Sequence, residues 1–297
     1  MARILVTGAS GFVGAHLFER LTSEGHDVYG TTTANSSERM LYCNIEDVAG
    51  VASVFSSVQP EIVIHCAAIS SVTAAATAAY YLVNTVGTEN IVKEAAALAH
   101  RVRFVLVSTA GVYGNQDTDL LHEGLCPKPV HHYGMSKFCC ERLIENFADL
   151  IDYSIVRPFN IIGEGQNREF IVPKLVDAFH RRDPVVRLGN LDVYRDYIDL
   201  ADAGEIIHRI TFDTRSHGET YNLCSGRPVS LQNLIKSLSD ITGHEIEVQV
   251  APEFVRKNEV WRLLGDVTKL ETFWGGPLDL LPISQSLRRM LAAKASQ

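Results

Sequence analysis

Residues 4–14 read Ile-Leu-Val-Thr-Gly-Ala-Ser-Gly-Phe-Val-Gly, and an amphipathic stretch follows them. The apolar run predicts a strand, and the stretch after the glycines predicts a helix. The first glycine permits a tight turn, the second lets the backbone approach a pyrophosphate, and the third allows close helix–strand packing. A glycine turn without a ligand is less favoured, because this is the first strand-to-helix connection of the chain. The turn predicts dinucleotide binding by Gly8, Ser10, Gly11, Phe12, Val13 and Gly14.

The first half of the chain alternates short β-branched runs with longer amphipathic stretches. Its predicted strands are Arg3–Thr7, Asp27–Thr31, Glu61–Cys66, Arg103–Ser108 and Tyr153–Arg157. Such alternation predicts an α/β fold with a Rossmann-type, doubly wound parallel sheet. Predicted helices cover 78–99, 133–150, 171–182, 230–242 and 283–293. After Arg157 the pattern loosens, which predicts a first domain over 1–157 and a smaller C-terminal α/β lobe over 158–297, with about 192–223 returning to the first domain.

Composition narrows the functional classes. The 297 residues carry a formal net charge of −8, and their Lys and Arg residues are scattered, so a nucleic-acid-binding surface is not expected. The first apolar run is too short for a signal peptide or a membrane span, which favours a cytoplasmic protein without membrane contact. The six cysteines form no C-x-x-C pair and are interpreted as reduced, mostly buried thiols. No metal is expected.

The end of the second strand bears on the choice of cofactor. An NAD-selective site usually has an Asp or Glu there, which binds the adenosine ribose. Residues 28–33 read Val-Tyr-Gly-Thr-Thr-Thr and contain no carboxylate. Hydroxyls such as that of Thr32, together with nearby Arg39, could instead accommodate a 2′-phosphate. NADP(H) is therefore favoured, and NAD(H) remains the alternative.

A second motif predicts acid–base chemistry. Tyr133 and Lys137 stand four residues apart, which places them one turn apart on one face of a helix. An ammonium beside a phenol favours the phenolate, so the pKa of Tyr133 should fall toward the working pH. The spacing alone is common in surface pairs. Here it follows a buried strand whose end carries Thr109, so a hydroxyl, a phenol and an ammonium are expected to converge on one carbonyl group.

The glycine turn, the run Ser-Thr-Ala-Gly-Val-Tyr-Gly at 108–114 and Tyr-x-x-x-Lys together resemble the extended short-chain dehydrogenases/reductases, the NAD-dependent epimerase/dehydratase family. The resemblance covers nearly the whole chain. It implies that Thr109 orients the substrate oxygen, Tyr133 exchanges the proton, and Lys137 tunes Tyr133 and holds the nicotinamide ribose. For Asn84, a plain helix-surface asparagine is an equal alternative to a cofactor contact. The further cofactor contacts implied by the resemblance are Asn44, Ile45, Ala67, Ala68 and Asn84.

The second lobe resembles the family's nucleotide-sugar site. Residues 156–160 match a segment whose asparagine, here Asn160, binds a diphosphate or sugar. Residues 195–199 and 256–260 match segments whose arginines, here Arg195 and Arg256, grip the diphosphate, which arginine can bind bidentately. Glu259 belongs to the same implied substrate set.

Within the family, residues 163–166, 188–193, 221–226 and 258–260 are most similar to GDP-4-keto-6-deoxy-D-mannose reductases, which make GDP-D-rhamnose by hydride delivery to a C4 ketone. The resemblance also implies a homodimer held by a four-helix bundle of 78–99 and 133–150. Two features depart from the pattern. His131-His132 stands where a proline is expected, and Thr33 replaces a basic residue.

Other reactions of the family are weighed on the residues after Thr109. Dehydratases carry an Asp-Glu pair there, and the epimerase-reductases carry a cysteine two positions on, whereas this chain has Ala110 and Gly111. A 4-epimerase with tightly bound NAD stays open, and the missing second-strand carboxylate is the main argument against it. A non-catalytic NADP(H)-sensing module is disfavoured by the intact Tyr133 and Lys137. The sequence thus predicts an NADP(H)-dependent reductase of a nucleotide 4-keto-6-deoxy sugar.

Overall fold

A computed structural model describes residues 1–34, 36–70, 76–251 and 260–295. Two of the predicted substrate contacts, Arg256 and Glu259, lie outside the described residues. The chain forms two compact units, whose nucleotide-binding and sugar-binding roles stay predictions. The first unit contains Met1–Asn115, Glu123–Pro158 and Gly204–Asn222, and the second contains Gln116–His122, Phe159–Ala203 and Leu223–Gln297.

The strands of the described residues are, in chain order, β1 (Arg3–Thr7), β2 (Asp27–Thr32), β3 (Met40–Tyr42), β4 (Ile62–His65), β5 (Val102–Val107), β6 (Leu120–Leu121), β7 (Ile151–Pro158), β8 (Asn160–Ile162), β9 (Val185–Leu188), β10 (Tyr194–Asp199), β11 (Glu219–Leu223), β12 (Pro228–Ser230), β13 (Glu247–Val250) and β14 (Arg262–Gly265). The helices are α1 (Phe12–Ser23), α2 (Val48–Val58), α3 (Thr77–Ala79), α4 (Gly87–Ala97), α5 (His132–Glu145), α6 (Ile171–His180), α7 (Leu200–Phe212), α8 (Leu231–Thr242), α9 (Thr268–Trp274) and α10 (Ile283–Ala295).

The first unit is built on a seven-stranded sheet in the order β11-β7-β5-β4-β1-β2-β3. The strands from β7 to β3 pair in parallel. This order reverses between β1 and β4, which is the switch point at which such sheets bind ligands, outside the carboxyl ends of the strands. The predicted Rossmann-type fold is confirmed. Its core includes the fully buried residues Leu5, Val51, Phe55, Val63, Val92, Val102, Phe104, Leu106, Ile144 and Ile155.

Two of the predicted helices differ from the observed ones. The stretch 78–99 is not one regular helix, because a π-helical turn, Tyr80–Val86, separates α3 from α4. The helix predicted to reach residue 150 ends at Glu145. Tighter backbone hydrogen bonds to the third preceding residue follow it, such as Phe147 N to Ile144 O at 2.9 Å. These turns stop the helix shortly before β7 begins.

The second unit is organised around β10. This strand pairs in parallel with β8 and β14 and antiparallel with β12, while β14 pairs with β6 and β9 pairs with β13. Helix α8 begins where Ser230 Oγ accepts a hydrogen bond from Asn233 N at 3.1 Å, and it ends at Gly243, whose φ of +61° suits a left-handed cap. The core of the unit is contributed largely by α6, α8 and α10 and includes Leu175, Val176, Phe179, Leu234, Leu238 and Leu287.

Three further properties concern the chemistry available to the chain. All six cysteines fall in the described ranges and are free thiols, but Cys126 and Cys139 are exposed. Within those ranges, no helix has both the length and the apolar character that a membrane crossing requires. The same residues contain no group of three His, Cys, Asp or Glu side chains placed to hold a metal ion.

Candidate active site

The glycine turn after β1 is shaped by close backbone contacts. Gly8 has a φ of +66°, and a Cβ there would lie 2.8 Å from Ala67 Cα, in the loop after β4. A Cβ on Gly14 would lie 2.2 Å from Gly8 O. No side chain caps the start of α1 at Gly11, so its first N–H groups are left for another partner. Both observations fit a pyrophosphate held at the helix N-terminus.

Neutral hydroxyls connect this turn to the end of β2. Thr31 Oγ1 accepts a hydrogen bond from Gly8 N at 3.2 Å, and Thr32 Oγ1 donates to Ser10 Oγ at 3.1 Å. Thr32 is buried, whereas Ser10 is exposed. The carboxyl end of β2 therefore presents hydroxyls beside the turn, in the region where an NAD-selective site carries a carboxylate.

Arg39 lies elsewhere than the sequence predicted. Its guanidinium forms an ion pair with Asp27, the first residue of β2, and stacks 4.6 Å from the centre of the Tyr29 ring. The Asp27 carboxylate also contacts Arg3, at the amino end of β1. Arg39 is thus directed toward the amino ends of these strands, while the glycine turn follows their carboxyl ends. The prediction that Arg39 contacts the cofactor is not supported by this placement.

The other predicted cofactor contacts differ in their accessibility. Ala67 and Ala68 follow β4, stay partly exposed, and are anchored by a hydrogen bond from Ala67 N to Thr7 Oγ1 at 3.2 Å. Asn44 is also partly exposed, and its Oδ1 accepts from Glu46 N at 3.2 Å. Ile45 is buried against Gly87, where an added Cβ would lie 2.5 Å from Ile45 Cγ1. Ile45 accordingly packs against α4 more than it faces a ligand.

Thr109 and Tyr133 are brought together by two neighbouring turns. Thr109 begins a short 3-10 turn, Ala110–Val112, and its Oγ1 accepts a hydrogen bond from Gly111 N at 3.0 Å. Tyr133 lies in the first turn of α5, with its hydroxyl near that of Thr109. Burial raises the pKa of Tyr133 to about 12, although the neighbouring Thr109 hydroxyl opposes this. The expected lowering of this pKa is therefore absent, because desolvation of the phenolate outweighs the favourable contacts.

Lys137 is buried one helical turn beyond Tyr133. Only 1% of its surface is exposed. Its charge acts on His65 and Cys140, which are buried, and on the partly buried Cys66, and it favours the thiolate forms of the two cysteines. Burial is nevertheless the largest influence on both thiols and raises their pKa values, that of Cys66 to about 12. Both cysteines are therefore held as neutral thiols, with the Lys137 ammonium as a neighbouring cation.

His65 was not singled out by the sequence prediction. It ends β4, and its ring nitrogens contact Thr7 Oγ1 at 2.7 Å and Thr88 Oγ1 at 2.8 Å. Burial, followed by the charge of Lys137, lowers its pKa to about 3, so the ring is neutral. The signal for His65 in the sequence was a polar residue at the end of an apolar run, just before Cys-Ala-Ala. His65 links β1, β4 and α4 beneath the carboxyl edge of the sheet.

Asn84 is neither a surface residue nor open to a ligand. It is fully buried in the π-helical turn. Its Oδ1 accepts from Ile69 N at 2.8 Å, and its Nδ2 donates to Ile69 O at 3.2 Å and to Ser136 Oγ at 2.9 Å. All three bonds go to the protein. Asn84 therefore ties the loop after β4 to α5. Its side chain holds these two protein segments, whereas the prediction assigned it to the cofactor.

The two histidines that precede Tyr133 have separate structural partners. His131 is the N-cap of α5, because its Nδ1 accepts a hydrogen bond from Gly134 N at 2.9 Å. Its ring also stacks near that of Tyr133, with 6.1 Å between the centroids. His132 is exposed, and its Nδ1 lies 3.0 Å from the Tyr81 hydroxyl. His131 therefore caps α5, the helix that carries Tyr133, and His132 contacts Tyr81.

The second unit places Asn160 and Arg195 around β10. Asn160 Nδ2 donates to Asp196 O at 3.0 Å, and Arg195 Nη1 donates to Tyr194 O at 2.9 Å and Val260 O at 2.7 Å. Both predicted contacts are partly buried.

Asp196 holds this region together, a role that the sequence did not reveal. Its carboxylate accepts from Ser225 N, Ser225 Oγ and Gly226 N at 2.7, 2.7 and 2.8 Å. Burial raises its pKa, although these hydrogen bonds stabilise the carboxylate. The backbone that carries Arg195 is thereby fixed to the loop after β11.

Comparisons with known proteins identify the family of this chain. Residues 4–224 match the model of the NAD dependent epimerase/dehydratase family. The chain is 36% identical to GDP-6-deoxy-D-talose 4-dehydrogenase of Aggregatibacter actinomycetemcomitans, over 97% of this chain and 96% of that protein. It is 30% identical to GDP-6-deoxy-D-mannose reductase of Pseudomonas aeruginosa, over 98% and 96% of the two chains.

A solved structure from the same organism shares the fold of this chain. RMD from Pseudomonas aeruginosa, complexed with NADPH, superposes with a TM-score of 0.86 at 28% identity and covers 100% of this chain and 99% of its own. The family predicted from the motifs is confirmed. The chain therefore belongs to the NAD dependent epimerase/dehydratase family, the extended short-chain dehydrogenases/reductases, and is an NAD(P)-dependent oxidoreductase.

Proposed function

We propose that this enzyme reduces the C4 ketone of GDP-4-keto-6-deoxy-D-mannose with NADPH. The observation that carries the proposal is the pair of neighbouring hydroxyls, Thr109 and Tyr133, on the same unit as the glycine turn and a buried Lys137. Such a pair can hold and protonate one carbonyl oxygen. Ala110 and Gly111 next to Thr109 offer no carboxylate for the elimination of water.

The choice of sugar is supported by the chemistry of the two relatives. GDP-6-deoxy-D-talose and GDP-6-deoxy-D-mannose, which is GDP-D-rhamnose, differ only in the configuration at C4. Oxidation of either alcohol at C4 therefore yields the same ketone. The higher identity with the talose enzyme, 36% against 30%, favours GDP-6-deoxy-D-talose as the product. GDP-D-rhamnose, the product expected from the sequence, is the second candidate.

The proposed residues act on the ketone oxygen. When bound, the nicotinamide would supply the hydride for C4, and the electrons of the carbonyl π bond would move to the oxygen. The Thr109 hydroxyl donates a hydrogen bond to the oxygen as negative charge develops on it, and Tyr133 transfers its proton to that oxygen. A Tyr133 pKa of about 12 keeps the phenol protonated at neutral pH, which is the form that reduction needs. The resemblance to the family assigns Lys137 to stabilising the phenolate that remains.

The cofactor and substrate contacts are proposed for the two units separately. In the first unit, the hydroxyls of Ser10 and Thr32 can bind a 2′-phosphate, and the complex of RMD with NADPH supports the preference for NADPH. In the second unit, Asn160 and Arg195 would bind the GDP diphosphate, together with Arg256. We also propose a homodimer, with 78–99 and α5 forming the interface.

The first test is a reductase assay with purified enzyme. We expect NADPH absorbance to fall stoichiometrically with GDP-4-keto-6-deoxymannose, more slowly with NADH, and not with a dTDP-linked 4-keto sugar. NMR of the product at C4 distinguishes the talose from the rhamnose configuration. Tyr133→Phe should lower turnover by about 10²–10⁴, the range of general acid–base catalysis.

Two outcomes would contradict the proposal. Full turnover by Tyr133→Phe would remove the assigned proton donor. Failure to oxidise NADPH with any ketone, with release of bound NAD on denaturation, would indicate a 4-epimerase instead.

A further inference from the structure

A buried ion pair lies on the same helix as the catalytic dyad. Tyr133, Lys137 and Glu141 follow one another at intervals of four residues, which places them along one face of α5. The Glu141 carboxylate is 1% exposed and accepts from Arg157 Nε at 3.0 Å and from Arg157 Nη2 at 2.7 Å. Burial alone would lower the pKa of Arg157, but the hydrogen bonds and charge of Glu141 outweigh it and raise that pKa. A bidentate pair therefore joins α5 to β7.

The same ion pair holds both ends of the turn that carries Thr109. Ser108 Oγ donates to Glu141 Oε1 at 2.6 Å. Arg157 Nη1 donates to the Tyr113 hydroxyl at 3.0 Å, and the Arg157 guanidinium lies 4.9 Å from the centre of the Tyr113 ring. Ser108 and Tyr113 immediately flank residues 109–112. One buried pair thus anchors the turn on its two sides.

Further contacts make this network rigid. The Tyr113 hydroxyl donates to Asn222 Oδ1 at 2.7 Å, and Asn222 N donates to Glu123 Oε1 at 2.7 Å. Tyr113 and Asn222 are fully buried. Because the charges of Glu141 and Arg157 neutralise each other within the pair, the network adds little net charge beside the catalytic groups. The network can therefore affect Thr109 through its geometry more than through its electric field.

We propose that the Glu141–Arg157 ion pair is a positioning device that sets the Thr109 hydroxyl against the Tyr133 hydroxyl. Glu141 holds α5, which carries Tyr133. The hydroxyls of Ser108 and Tyr113 connect the same ion pair to the turn that carries Thr109. The assignment rests on the roles proposed above for Thr109 and Tyr133. Displacement of a catalytic group by about 1 Å can lower a rate about a hundredfold, so this anchoring bears directly on turnover.

The test uses mild variants, because loss of either charged partner leaves an unpaired buried charge and endangers folding. Ser108→Ala and Tyr113→Phe each remove one hydroxyl and keep the ion pair. Ser154→Ala is the matched control. Its buried hydroxyl accepts from Arg103 Nη2 at 2.7 Å, near the start of β5 and away from the Thr109 turn.

We expect Ser108→Ala and Tyr113→Phe to lower the single-turnover rate of ketone reduction about tenfold or more, with the half-saturating ketone concentration unchanged. Ser154→Ala should lose thermal stability comparably but keep the rate of the wild type.

Tyr133→Phe is measured in parallel to separate the two proposals. If it is inactive while Ser108→Ala and Tyr113→Phe match Ser154→Ala in rate, the ion pair only stabilises the fold and the positioning assignment is overturned. If Tyr133→Phe turns over normally, the proposed function fails, and the positioning assignment fails with it.

Discussion

His65 shows how a single side chain can be held in one protonation state by its surroundings. Each ring nitrogen meets a threonine hydroxyl, and each hydroxyl can act as donor or acceptor, so a neutral imidazole satisfies both contacts. A second proton would place a cation in a fully buried site near the Lys137 ammonium. Burial and that neighbouring charge therefore lower the His65 pKa to about 3.

This shift makes stability depend on pH. The pKa of His65 in the folded state, about 3, lies below its ordinary value of 6.5. Between these two pH values the unfolded chain therefore binds a proton at His65 that the folded chain does not bind. The contribution of neutral His65 is present above pH 6.5 and is lost as pH falls toward 3, at about 1.4 kcal/mol per pH unit. We expect His65→Gln to be less stable than the wild type at neutral pH, with the difference narrowing in acid. Denaturant titrations at several pH values measure this, and parallel stability curves would refute it.

At the scale of elements, the contact between α5 and the Thr109 turn depends on the absence of a side chain. A Cβ on Gly134 would lie 2.5 Å from Gly111 O and 3.1 Å from the His131 ring. The backbone oxygen cannot move without moving the turn, so the first turn of α5 can approach Thr109 only with glycine at this position. The placement of Tyr133 beside Thr109, on which the proposed mechanism depends, is therefore a property of two packed elements.

Gly134→Ala should separate these elements. We expect it to lower the free energy of unfolding by about 1–3 kcal/mol, as overpacking does, and to reduce turnover because Tyr133 moves from Thr109. Gly50→Ala is the control, since its Cβ would lie 2.8 Å from Asp47 Oδ2, the end of a side chain that can shift, although Asp47 Oδ1 also caps α2 by accepting from Ala49 N. The gain in helix propensity and any loss of this cap, each about 1 kcal/mol, should nearly cancel. Equal stability and turnover of the two variants would rule out the packing argument.

At the scale of the whole molecule, the proposed dimer should cover exposed apolar residues of the first unit. Leu82, Val86 and Met135 are 50%, 40% and 36% exposed, and they lie on the π-helical turn and on α5. Large apolar side chains grouped on two elements are typical of an interface between chains. The same elements carry Tyr133 and Asn84, so association would also support the site.

The expected result is a dimeric mass for the wild type by light scattering at working concentration. Val86→Arg should shift the mass toward the monomer, because a buried unpaired charge opposes association. Val48→Arg is the control, because Val48 is 60% exposed but lies on α2. A monomeric wild type, or equal dissociation by both variants, would exclude this interface.

The sequence alone determined the fold class, the positions of the main strands, and the residues of the glycine turn and the Tyr-x-x-x-Lys motif. These features are local. Glycine spacing, apolar runs and a four-residue interval follow from backbone geometry over a few residues, so they can be read without knowledge of distant contacts.

The tertiary structure alone decided what these residues meet. Burial placed Asn84 between Ile69 and Ser136, an ion pair turned Arg39 toward Asp27, and desolvation reversed the expected pKa shift of Tyr133. The anchoring of Ser108 by Glu141 joins residues 33 positions apart. Such contacts and the balance between burial and charge depend on which segments pack together, and local spacing does not encode that packing.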